Sequence, residues 1–83
     1  MDKETCRERI IEISDVELPR VRAQLSRLEA MAELAENFPV MVAGQDIKKD
    51  FEEVYEIAIL ALTEQIRALE AERADLFNQI KKA

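Results

Sequence analysis

The chain reads as all-α: an antiparallel two-helix hairpin that is expected to dimerise into a four-helix bundle. Three observations predict this. Two heptad-patterned stretches, residues 18–38 and 46–82, flank one short connector. The composition is that of a long-helix protein, with 36% of residues charged, one Gly, two Pro and no Trp. Apolar residues also run right round the helix in two places, more greasy surface than two helices can cover between them. The 83 residues are taken as a single helical-hairpin domain, small enough that one core barely offsets the chain entropy lost on folding.

The first helix is expected over about residues 2–37. Leu18, Val21, Leu25, Leu28, Ala32 and Ala35 step by three and four along one face. Upstream, Cys6, Ile10, Ile13 and Val16 also fall on helical spacing. Between the two blocks, Ser14 and Glu17 match a capping box, and Pro19 removes a backbone donor and crowds the preceding turn. These signals allow either a short helix that breaks near Ser14 or one helix kinked between Ser14 and Pro19. The kinked helix is favoured, because both arms of the hairpin then have similar length. Asn37, tolerant of a left-handed cap, followed by Phe38-Pro39 marks the expected stop.

The connector, residues 38–45, is apolar for a turn: Phe38, Val40, Met41 and Val42 stand where Gly, Asn, Asp and Ser are usual. Large apolar groups are generally buried, so these side chains are expected to fold back and close the end of the bundle. The functional alternative is an apolar anchor ringed by acids, the anatomy of a protein-binding hot spot.

The second helix is expected over about 46–82. Tyr55, Ile59, Leu62, Ile66, Leu69, Leu76 and Ile80 form its seam, interrupted by Arg73, which is expected to set register by pairing with Glu8 or Glu12. Asp46 can cap the start, Asp50, Glu52 and Glu53 suit the positive end of the helix dipole, and Lys81 and Lys82 suit the negative end. Residues summing to about 84 should face each other across the hairpin, which puts residues 57–62 near 22–27. Ile57 and Leu60 are then uncovered, and with Met31 and Leu34 they are the expected dimer interface.

Charge is unevenly placed. Residues 29–56 hold eight acids against Lys48 and Lys49, which is the whole net charge of −6; elsewhere ten acids and ten bases cancel. Glu33 and Glu36 oppose the dipole at a helix C-terminus, whereas Asp50 and Glu53 favour an N-terminus. The expected partner-binding set is therefore Glu33, Glu36, Phe38, Val40, Met41, Val42, Asp50 and Glu53, at the tip of the hairpin.

Chemistry is largely excluded by residue type. No His and one Cys leave no zinc or di-iron site, and Ser14, Ser26, Thr5 and Thr63 have no histidine base. A hard-cation site at Glu33, Glu36, Asp50 and Glu53 is conceivable but ordinary surface carboxylates are far commoner. Neither a catalytic site nor a metal or cofactor is expected. A pI near 4.7 and basic residues interleaved with acids argue against direct nucleic-acid binding. The longest apolar runs are six residues, far short of the roughly 20 that span a bilayer. Charged Met1-Asp2-Lys3-Glu4 is unlike a secretory leader, and the lone Cys6 fits a reducing compartment, so a cytoplasmic location is expected. Residues 66–76 are similar to the arms of many antiparallel coiled coils, a likeness that implies no particular activity. The function expected is non-enzymatic: scaffolding or regulation through a protein partner. The alternative is a small acidic inhibitor seated on the basic surface of a nucleic-acid-binding protein.

Overall fold

A computed structural model describes residues 2–39 and 41–82 and shows the all-α hairpin as a rod of 62 × 18 × 17 Å. Helix α1 (Lys3–Glu12) runs through a π-helical turn (Ile13–Glu17) into α2 (Leu18–Asn37). Two-residue strands β1 (Met41–Val42) and β2 (Gln45–Asp46) pair antiparallel at the tip, and α3 (Lys48–Lys82) returns along the whole rod. Helix α1 starts on a cap, Asp2, whose carboxylate accepts the Thr5 N–H at 2.7 Å.

The first arm does not break at Ser14. Helical dihedrals continue through the π turn, where the Leu18 N–H reaches back five residues to the Ile13 carbonyl. The wide turn has a cause on each side. Pro19 cannot donate, and in a regular helix its ring would strike the carbonyl four residues back. The buried residues also demand it: Cys6, Ile10 and Ile13 are followed by Leu18 and Val21, so one step of the seam is five residues long. A regular helix would rotate Leu18 off the face, and one extra residue in the turn returns it. Val16, expected on that face, is instead 55% exposed, because the extra residue of the turn bulges outward there. Ser14 and Glu17 do not form a capping box. The Ser14 hydroxyl accepts from Arg73 at 3.2 Å, and Glu17 pairs with Arg9. Arg73 thus bonds the π turn rather than Glu8 or Glu12, at the level where the opposite seam skips a residue.

Helix ends differ in detail from the sequence expectation. Asn37 adopts no left-handed conformation; its side-chain amide donates to the Glu33 carbonyl at 3.1 Å, and Phe38 leaves in an extended conformation. Helix α3 begins at Lys48, two residues beyond the expected cap Asp46, whose carboxylate accepts the Lys48 N–H at 3.0 Å. The connector contains the turn Ala43-Gly44, both with positive φ (52° and 80°), the signature of a two-residue hairpin turn with the twist of its strands.

The two arms are offset from the simple pairing. Leu28 and Met31 share a groove with Ala58, Ala61 and Leu62, so residues 57–62 lie beside 27–32 rather than 22–27. Phe38 leaves α2 in an extended conformation and the β1–β2 hairpin intervenes before α3 starts, while the π turn adds a residue to the first arm alone. The first turn of α3 meets only the end of α2, where Lys48 reaches the Glu36 carbonyl.

The core is confined to the half of the rod away from the tip. Cys6, Ile10, Ile13, Leu18, Val21, Leu69 and Leu76 are buried there, with Leu62, Ile66 and Ile80 packed against them. Arg9 clasps this half from outside, donating through Nε and Nη2 to both oxygens of Glu72 (2.8 and 3.0 Å) while also meeting Glu12 and Glu17. Those hydrogen bonds hold the Glu72 carboxyl below the usual carboxylate range and raise the Arg9 guanidinium further above its own. Farther along, Arg22 pairs with Glu70 at 3.1 Å.

Candidate docking surface

Beyond Val21 the hairpin stops burying large side chains. In the tip half only Ala35 is buried among the described residues, whereas Met31, Leu34, Phe38, Met41, Val42, Val54, Ile57 and Leu60 are all exposed. The local reason is the residue pattern. The inward seam of this half contains small residues, Ala32 and Ala35, while the larger ones sit at positions that turn outward. Two arms joined this way leave two broad faces, and these faces differ.

One face is apolar. Met31, Leu34, Ala35, Phe38 and Pro39 line a shallow groove with Tyr55. It continues toward the middle of the rod into the groove between Leu28, Met31, Ala58 and Ala61, with Arg27 at its edge. Toward the tip, Ile47, Phe51 and Val54 extend it along α3, with Asp50 at the edge. The stripe steps by three and four on both helices, through residues 27, 31, 34 and 38 of the first arm and 47, 51, 54, 58 and 61 of α3. Phe51 and Tyr55 stack in a tilted pair, ring centroids 5.9 Å apart.

The opposite face is acidic. Glu36, Glu52 and Glu56 line a groove with Ala32, Tyr55 and Ile59. Helical spacing puts Glu29 and Glu33 on the same side of α2. The Lys48 ammonium donates to the Glu36 carbonyl at 2.6 Å and lies 4.0 Å from Glu52, so the α2 C-terminus has a cation near its free carbonyls.

The residues expected to bind a partner are therefore not one cluster. Glu33 and Glu36 lie on the acidic face, and Asp50 borders the apolar one. Glu53 is exposed on α3, and among the described residues no group of three acids is close enough to hold a metal ion. Phe38, Met41 and Val42 do not fold back to plug the end of the bundle; all three are exposed, Phe38 at the edge of the apolar groove and Met41 and Val42 in a two-residue strand whose only pairing is with β2 among the described residues. Val40 lies outside the described residues. Of the four expected interface residues, Met31 and Leu34 stand on the apolar face. Ile57, 70% exposed, and Leu60, 60% exposed, stand on the outer side of α3 beside Glu56.

Sequence reading missed Ile47, Phe51, Val54, Ala58 and Ala61 as a second stripe. Its signal was present in their spacing, but α3 was read for one seam only. The hydroxyls have structural work: Thr63 donates to the Ile59 carbonyl at 2.8 Å, and Ser14 takes the Arg73 hydrogen bond. Among the described residues no helix is long and apolar enough to cross a membrane. No protein-family model matches the chain, and no curated protein or solved structure matches it either.

Proposed function

We propose that the protein is a non-enzymatic interaction protein: a homodimeric helical hairpin that scaffolds or regulates a protein partner. The observation that carries this reading is the division of the rod. One half holds a closed core, and the other exposes eight large apolar side chains among the described residues. Burying each such side chain is worth about 1.5–3 kcal/mol, so leaving all of them in water opposes solubility unless another surface covers them. A second copy covers the apolar face and completes a four-helix bundle. The tip, with Met41 and Val42 beside exposed acids, remains available to the partner. The absence of histidine and the occupied hydroxyls of Ser14 and Thr63 support a role without catalysis. The single thiol, Cys6, is buried in the core, which suits a reducing cytoplasm.

Light scattering coupled to size exclusion at micromolar concentration tests assembly, with about twice the 9.6 kDa chain mass expected. A monomer that melts cooperatively overturns it. For the partner, capture from native lysate by wild type and by Met41→Ser separates the roles: the variant should keep its mass and lose the captured protein.

The acidic groove at Glu36, Glu52 and Glu56 favours one second reading, an inhibitor that occupies a basic protein surface. Salt distinguishes the two. Charge-led capture should fall steeply between low and high ionic strength, and capture through an apolar anchor should not.

A further inference from the structure

We propose that the hairpin folds as two cooperative units, and that the tip half, residues 29–61, opens by local unfolding while the other half stays closed. Opening of this kind belongs to the single chain and does not depend on the dimer. It makes the exposed faces of the tip conditional. They exist only in chains whose tip half is closed, so whatever covers them also stabilises the fold beneath.

What holds the arms together is unequally distributed. In the closed half, large side chains of both arms, Ile13, Leu18, Leu69 and Leu76 among them, are buried in one cluster. Polar rungs also cross between the arms there, Arg9 to Glu72, Arg73 to Ser14 and Arg22 to Glu70. In the tip half only Ala35 is buried among the described residues, and a single methyl group removes little apolar area from water. One hydrogen bond joins α2 to α3 there among those residues, from Lys48 Nζ to the Glu36 carbonyl, and it spans only the connector.

The sequence weakens the same half in two further ways. Residues 29–61 carry eight acids against Lys48 and Lys49, the entire net charge of −6, so closing the tip gathers like charge. Glu33 and Glu36 stand in the last turns of α2, where the carbonyl end of the helix repels them. Helical segments this short are marginal in water without a packed face. Opening also costs the closed half little. Its two helices become joined by a longer flexible loop, and closure entropy grows only with the logarithm of loop length. The boundary falls where Leu28 meets Leu62, the last level at which α3 packs on the core.

Hydrogen–deuterium exchange read by mass spectrometry tests this on the full chain, first at submicromolar concentration and then at higher ones. After correction for intrinsic rates, dilute wild type should exchange residues 29–37 and 48–61 about tenfold or more faster than residues 6–21 and 66–80. The faster set should also depend less on urea, since opening half the rod exposes less surface. Ala74→Gly supplies a second measurement. Ala74 is exposed in the closed half, so glycine there weakens its helix without removing a buried contact. The variant should speed exchange of 6–21 and 66–80 by about fivefold and leave 29–37 and 48–61 unchanged, because the tip opens without unfolding residue 74. Equal protection of both halves in dilute wild type, or equal acceleration of both by Ala74→Gly, overturns the two-unit fold. Concentration bears on the dimer separately. Tip protection that rises with protein concentration supports a second copy covering it, and tip protection that stays constant overturns that covering while leaving the two units standing.

Discussion

Arg9 and Ala43 are the two positions where a single side chain makes claims that can be measured separately. Arg9 gathers Glu12, Glu17 and Glu72 onto one guanidinium, and Glu72 titrates below its ordinary value of 4.5 because of the hydrogen bonds it accepts. A carboxyl depressed by folding binds its proton less tightly in the folded than in the unfolded chain. Its stabilisation is complete above about 4.5 and is lost as pH falls through the lower folded value. Asp2 behaves alike, since its carboxylate is held low by the Thr5 N–H. Glu72→Gln should therefore lower the melting temperature at pH 7 and flatten its fall on acidification, as read by circular dichroism melts from pH 7 down to pH 3. An unchanged acid limb would assign the dependence to other carboxylates. At the tip, Ala43 occupies a left-handed conformation that costs a non-glycine residue about 1–2 kcal/mol. Ala43→Asn supplies the residue that two-residue hairpin turns favour before glycine, and should slow hydrogen exchange in β1 and β2. Gly44→Ala should do the reverse although nothing crowds that position, because the strain lies in φ rather than in space.

At the scale of elements, the π turn shows what was legible in the sequence and what was not. Continuity of the first arm was legible from the similar length it gives the two arms, and Pro19 marked where the kink would fall. The nature of the kink was not, because Val16 also lies three residues past Ile13 and conceals the five-residue step to Leu18. Only the core, which needs Leu18 and Val21 on the same face as Ile13, decides between them. The same shortfall explains Arg73, whose Ser14 partner is set by a register that the extra residue shifts. These relations predict a cycle of variants. Pro19→Ala should leave stability equal or higher, since the seam still requires the wide turn. Deleting Val16 converts that turn to a regular helix with Ile13 and Leu18 still in register, but strands Pro19 in a helix interior at a cost of about 3 kcal/mol. The deletion combined with Pro19→Ala should recover most of the loss in urea unfolding. Non-additivity of that size between neighbouring sites is the diagnostic, and additive losses would sink this account of the turn.

Over the whole molecule, the hairpin divides its apolar residues between a buried core and an exposed tip half. All-round apolar segments were legible as surplus surface, yet their sidedness was not, because it depends on how the tip offsets one arm against the other. With Ala32 and Ala35 inward and Met31 and Leu34 outward, the tip half has a thin internal seam and a rich external one. Leu76 and Leu34 make the clearest contrast, being the same residue type in opposite halves. Leu76 is buried against the first arm, so Leu76→Ala should destabilise the fold by about 2–5 kcal/mol through the lost transfer energy and the cavity left behind. Leu34 is 60% exposed within one chain, so Leu34→Ser should change little in the unfolding of a dilute monomer. In the proposed dimer the same substitution removes an apolar contact from each chain and therefore acts twice. Denaturant unfolding at several protein concentrations reads both quantities together. Wild type should gain stability as concentration rises, since association favours the folded chain. Leu76→Ala should start lower and keep that concentration slope, whereas Leu34→Ser should start level with wild type at high dilution and lose the slope. If Leu34→Ser instead lowers stability equally at every concentration, the tip half is part of the folded core and its exposed leucine has been assigned the wrong task.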